Sequence, residues 1–142
     1  MRKRGAGNVG LRSKSREYAM QMLFQWEMSK KEPRKLVEQF WKGAAAADLT
    51  ESFANELFEG AAKQIKELDD LIEQHSDWKS ERIAAIDRAI LRLAIYELRA
   101  NTAQRRTVFN EALELAKKYS SEDSTRYLNG ILHSVGKAVK KS

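Results

Sequence analysis

The chain has 142 residues, 26 Lys and Arg against 20 Asp and Glu, one Pro and no Cys. A length of about one domain, 42% apolar residues and the lack of cysteine exclude a disordered chain, a disulfide scaffold, a thiolate zinc site and a cysteine nucleophile. The single Pro argues against a turn-rich all-β sandwich, no apolar run approaches the roughly 18 residues of a membrane span, and no apolar stretch follows the basic N-terminus as in a secretory signal, so a soluble, cytoplasmic, mostly helical domain is expected.

Residues 1–12 are Gly-rich and basic and are expected to form a flexible arm ahead of one domain over 13–140. Arg2, Lys3, Arg4, Arg12, Lys14 and Arg16 precede the first acid, Glu17. Without them, basic and acidic residues are equal in number, so the net charge of +6 lies here. A basic arm on a neutral body is the footprint of a polyanion binder, or else a solvated tail that aids solubility. A membrane surface fits less well, because only Val9 and Leu11 are larger apolar anchors.

A first helix is predicted from Ser13 or Ser15 to Met28, with Tyr18, Ala19, Met22, Leu23 and Trp26 on one face. Met20, Phe24 and Met28 form a second stripe nearly opposite, either core packed under the next helix or an exposed patch for a partner. Pro33 suits the first turn of a second helix carrying Leu36, Val37, Phe40 and Trp41. Residues 44–47 are ambiguous. Asp48 or Thr50 can cap a long third helix striped by Phe53, Leu57, Ala61, Ile65, Leu68 and Ile72, within a predominantly acidic stretch over 43–81. A break follows at His75–Lys79, then a short turn at Ser80 and Ile83. The segment from Ala84 to Arg99 is apolar almost all round and is therefore expected at the centre of the fold. Asn101–Arg106 reads as a polar connection, Thr107 as the cap of a sixth helix, and Ser120–Ser124 as a turn. A last helix runs from Asp123 to Lys137 with Tyr127, Leu128, Ile131 and Leu132. No strand pattern or internal repeat is present.

Catalytic and metal chemistry find little support. His75 and His133 are the only histidines, and neither has a ligand partner one helical turn away. There is no Gly-rich phosphate loop and no nucleophile elbow. Asp69 and Asp70 fit a solvated acidic face better than an acid/base dyad. Glu97 falls at the centre of the stripe made by Ile86, Ile90 and Leu93, so its carboxylate must be buried and satisfied, by helix N-terminal amides or by Asn110, rather than catalytic. Arg88, Arg92 and Arg99 share another face and are expected to pair with the acids of the third helix, although they also suit phosphate.

Three stretches resemble the bacterial transcription antitermination factor family NusB. RSKSREYAMQMLFQWEMS (12–29) is similar to its basic first helix, IDRAILRLAIYELRA (86–100) to its central helix, and TVFNEALELAKKYSSEDSTRYLNGILHSV (107–135) to its last two helices. The resemblance implies an all-α fold of about seven helices, in two small three-helix bundles around a central helix, with no catalysis and no cofactor. It implies binding, together with the small-subunit ribosomal protein NusE, of single-stranded boxA RNA in ribosomal RNA leaders, within the RNA polymerase antitermination complex. The same fold also serves as an accessory RNA-binding domain of RNA cytosine methyltransferases; with no Rossmann half in the sequence, the free-standing factor is the expectation. By the same resemblance, Arg12, Lys14 and Arg16 are phosphate contacts. Tyr119, Ser120, Ser121, Asp123, Ser124 and Arg126 form a second RNA-contacting region, and His75 matches a position where the family can place a ring near RNA, or else sits at the core edge or in solvent. Where they are not core, Met20, Phe24 and Met28 form the apolar patch for NusE; the acidic middle of the chain complements a basic ribosomal protein, with Asp87 as a rim contact. Asp123 can accept a hydrogen bond from a base or cap the last helix. Ser120 stands where the family usually has Gly, and a left-handed backbone there would be strained. Two other readings compete: a helical protein-binding adaptor, and a helix-turn-helix DNA binder. The second is disfavoured because the arginines cluster in the arm rather than on a recognition helix.

Overall fold

The computed structural model describes residues 2–79 and 82–139, with only the course of the backbone for residues 2–9. The turn expected at Ser80 thus begins outside the described residues. Among the described residues there are seven helices and no strand: α1 (Arg2–Ser29), α2 (Pro33–Lys42), α3 (Asp48–Lys63), α4 (Ile65–Gln74), α5 (Ala85–Ala100), α6 (Arg105–Tyr119) and α7 (Glu122–Ala138). Among the described residues, no helix is long and apolar enough to cross a membrane.

Helix α5 is central for the reason its sequence suggests. Buried apolar positions run from Ala89 to Ile95 with one charged interruption, and α5 touches α1, α3, α4, α6 and α7. A helix with five neighbours needs apolar groups around most of its circumference. It stops at Asn101, whose backbone is left-handed (φ 54°) and whose N–H closes onto the Glu97 carbonyl. Asn tolerates this conformation better than most residues.

Helix α1 packs on α2, α3, α5 and α6, so one apolar face does not suffice. Ala19, Met22 and Leu23 are buried as expected, and Met20, the first residue of the second stripe, is fully buried too. Where α3 and α5 meet, the Tyr96 ring occupies the place that a Cβ on Gly60 would need, so only glycine admits it there.

Several boundaries differ from the sequence reading. Helix α1 starts at Arg2, so the backbone of 2–12 continues the same helix. No proline interrupts this stretch, and Arg, Lys, Ala and Leu, all good helix formers, lie between its glycines. The long third helix is two helices separated at Gln64 (φ −106°, ψ 20°). The apolar stripe continues in phase across Gln64, so periodicity carries no sign of the break. Neither Asp48 nor Thr50 caps α3: the chain enters it from Ala47, and Thr50 is buried with its carbonyl accepting from the Ser15 hydroxyl at 2.8 Å. Helix α6 begins two residues before Thr107, without a side-chain cap. Ser121, not Asp123, caps α7 by accepting the Ser124 N–H at 3.0 Å.

Candidate nucleic-acid interface

Arg12 and Lys14 project from α1 and are exposed. The Arg12 guanidinium lies 4.0 Å from the centre of the Phe53 ring, a cation–π contact that holds it against α3. Lys14 lies 3.7 Å from Glu17, and half of its side chain is open to solvent. Arg16 is different. It is 3% exposed and binds Glu97 through two nitrogens, Nε to Oε2 at 2.8 Å and Nη2 to Oε1 at 3.0 Å. Thr102 donates to the same carboxylate at 2.6 Å. The assignment of Arg16 to phosphate is therefore corrected: its charge is spent inside the fold. Glu97 is buried as its position in the stripe requires, but its partners are Arg16 and Thr102, and Asn110 is exposed.

The arginines of α5 behave similarly. Arg92 forms a two-pronged pair with Asp69 of α4 at 2.8 and 2.9 Å, in line with the expected acidic partner. Arg88 and Arg92 both also bind Glu27 of α1, a partner that the sequence did not suggest. Arg99 is exposed.

The turn between α6 and α7 is anchored by carboxylates. The Tyr119 hydroxyl donates to Glu17 of α1 and accepts from Gln21 at 2.9 Å. Lys118 reaches the same Glu17 at 2.7 Å. Ser120 donates to Asp87 at 2.6 Å, and its backbone is extended, so no left-handed strain arises. Asp87 is 4% exposed. It therefore does not serve as a rim contact for a partner; it ties this turn to the start of α5. Beyond the cap at Ser121, Asp123 and Arg126 are exposed and paired one turn apart, and Ser124 is half-buried. His75, at the end of α4, is half-buried with Nδ1 2.6 Å from the Ser134 hydroxyl of α7. Close by in the chain, the Ser76 hydroxyl bonds Tyr127 of α7, whose ring lies 5.4 Å from that of Trp78.

Glu17 thus brings together two regions that are separate in sequence. Lys14 from α1 and Lys118 from α6 converge on one carboxylate, which also holds Tyr119. Burial pushes the Glu17 carboxyl up, but the hydrogen bonds from Lys118 and Tyr119 and the charges of Lys118 and Lys14 outweigh it and hold it below its ordinary value. Tyr119 is raised, by burial and then by its bond to Glu17. Glu27 is lowered in the same way as Glu17: Arg88 and Arg92 outweigh its burial. A carboxylate lowered in the folded state stabilises the fold above its unfolded pKa, and that stability is lost as pH falls through the lowered value. Urea melts should therefore show stability falling as the pH drops below about 4.5, the ordinary value for these groups. The fall should be shallower in Glu27→Gln, and an unchanged fall in that variant would contradict this account.

The second stripe of α1 divides. Met20 belongs to the core, Phe24 is half-buried and Met28 is 56% exposed. Phe24 and Met28 line an open groove between α1 and α2 that also includes Leu36, Phe40, Gln21 and Gln25. Met20 is withdrawn from any partner surface because no solvent reaches it.

Among the described residues, no group of three or more His, Cys, Asp or Glu is placed to hold a metal. The sequence reading missed Glu17 and Asp87 as anchors and overlooked Lys118, because an anchor is recognised by what faces it across the fold.

A family model for NusB matches residues 13–137. The transcription antitermination protein NusB of Koribacter versatilis (strain Ellin345) is 44% identical over 136 residues, covering 92% of each chain. That of Myxococcus xanthus (strain DK1622) is 37% identical over 139 residues, covering 94% of this chain and 99% of the relative. A crystal structure of antitermination factors NusB and NusE in complex with dsRNA superposes with a TM-score of 0.83 at 27% identity, covering 90% of this chain and 97% of that one.

Proposed function

The chain belongs to the NusB family, and on that premise we propose that it is a transcription antitermination factor, a binder rather than an enzyme. It takes single-stranded boxA-type RNA of ribosomal RNA leaders together with NusE and acts within the RNA polymerase antitermination complex. The observation that supports this best is the meeting of Lys14 and Lys118 at Glu17, which joins the basic start of α1 to the α6–α7 turn. Single strands expose base faces and edges as well as phosphates, so their reader needs cations beside rings and short polar groups. Arg12, Lys14, Lys118 and Arg126 supply the cations. Tyr119, Ser121, Asp123 and Ser124 lie at or just beyond the turn for the bases, and His75 lies on the α4 end packed against α7. The groove at Phe24 and Met28 is the surface for NusE.

If those four cations each meet a phosphate, log K for a single-stranded RNA falls with log salt at a slope of about −3. Filter binding between low and moderate salt measures it. Arg12→Ala/Lys14→Ala should weaken every RNA sequence tested and flatten the slope by one to two units, roughly one per lost phosphate contact. A salt-independent affinity would remove the electrostatic basis of the reading.

A further inference from the structure

Trp78 is one of the few large apolar side chains that the fold leaves open, at 53% exposure. It lies in the short link after α4, yet it is held in place. Its backbone N–H donates to the Ser76 hydroxyl at 3.0 Å. The same hydroxyl bonds the phenol of Tyr127, and the Tyr127 and Trp78 rings stand 5.4 Å apart with a 39° tilt. One serine thus fixes two rings from different parts of the chain. Leaving a tryptophan half in water while holding it by its backbone and by a neighbouring ring is a poor use of an apolar group, unless its open surface receives something flat.

Its surroundings favour a nucleic acid. Tyr127 follows Asp123, Ser124 and Arg126 on the first turns of α7, so the ring pair continues the surface already assigned to RNA. Lys79 and Arg82, both exposed, follow Trp78 in the chain, and exposed Asp77 precedes it. We infer that Trp78, backed by Tyr127 and oriented through Ser76, is a stacking platform for an unpaired RNA base. The inference rests on the RNA-binding reading above and adds to it a site for a base beside the α7 start. Stacking on a ring is tolerant of base identity, so the platform contributes affinity more than sequence choice.

The test titrates a labelled single-stranded RNA oligonucleotide with the full chain. Trp78→Ala is expected to weaken binding about tenfold, and Trp78→Phe by less. Neither should alter the salt slope, because no phosphate contact is lost. Tryptophan emission of the wild type should fall on RNA addition. Trp78→Phe, which keeps Trp26 and Trp41, should lose that quenching, and it decides the matter even if the alanine variant folds poorly. Wild-type affinity in a folded Trp78→Ala, or quenching that persists in Trp78→Phe, overturns the platform while RNA binding through Arg12 and Lys14 stands. A wild-type chain without affinity for the RNA overturns both. If Trp78→Ala keeps its RNA affinity but loses capture of a small basic protein, the ring serves a protein partner and the platform is wrong.

Discussion

Glu97→Ala should cost about 3–5 kcal/mol of folding stability, because it removes the bidentate counter-charge of the buried Arg16 guanidinium and leaves it only Glu111, at 3.9 Å. The pair is almost wholly inside the protein and is bidentate, with side-chain exposures of 4% and 2%. Arg16→Ala should cost a similar amount for the mirror-image reason. Its carboxylate partner would keep only Thr102, and the cation of Arg16 is 3.9 Å from Glu111 as well. Arg16→Lys should not rescue it, since an ammonium cannot reproduce the planar fork that meets two carboxylate oxygens. Replacing both partners by apolar residues should cost less than the sum of the single changes, since neither charge is then left alone. Chemical denaturation of the four variants measures this. If Arg16→Ala melts like wild type but loses RNA binding, the side chain works on RNA and the buried pair is incidental.

Met28→Asp should abolish detectable NusE binding while the chain still folds. The groove between α1 and α2 places exposed Met28 beside half-buried Phe24, and a carboxylate introduced into a desolvated apolar contact is left without a partner. At the centre of an interface such a change costs about 2–4 kcal/mol, a thirtyfold loss or more. Phe24→Asp should be at least as damaging to binding, but Phe24 also packs against the core, so its melting temperature should fall. Met28 has little to lose in the free protein, and its variant should melt near wild type. RNA binding by the isolated chain should change modestly in Met28→Asp, because the substitution lies several helical turns from Arg12 and Lys14. RNA binding by the NusE pair should collapse. Pull-down and thermal melting of Met28→Asp together decide it, and undiminished capture of NusE would remove the groove from the partner surface.

The acidic stretch and the α1 groove also show where reading a sequence stops. Helical periodicity is a property of neighbouring residues, so it was enough to place α2, α5 and α7, to put α5 at the centre and to bury Glu97. The basic α1, the α5 pattern and the α6–α7 run were enough to suggest the family. Which polar group ends up facing which was not legible. Arg12 and Arg16 are one turn apart on the same helix with the same charge, yet Arg12 lies exposed against Phe53 while Arg16 meets a carboxylate 81 residues away. Asp87 and Asp123 look equally available in the chain, but only Asp87 is covered, where Ser120 of the α6–α7 turn meets it at the start of α5. Met20 and Met28 share a stripe, yet Met20 is fully buried and Met28 is 56% exposed. The sequence by itself determined the elements, the apolar centre and the presence of a basic face, since each follows from local spacing and from the cost of wetting apolar surface. Only the tertiary structure decided which cations remain open to a polyanion, because a charge is removed from the surface when packing buries it against a distant carboxylate, as with Arg16, and not when the pair stays in solvent, as with Lys118, and that burial has no local signature.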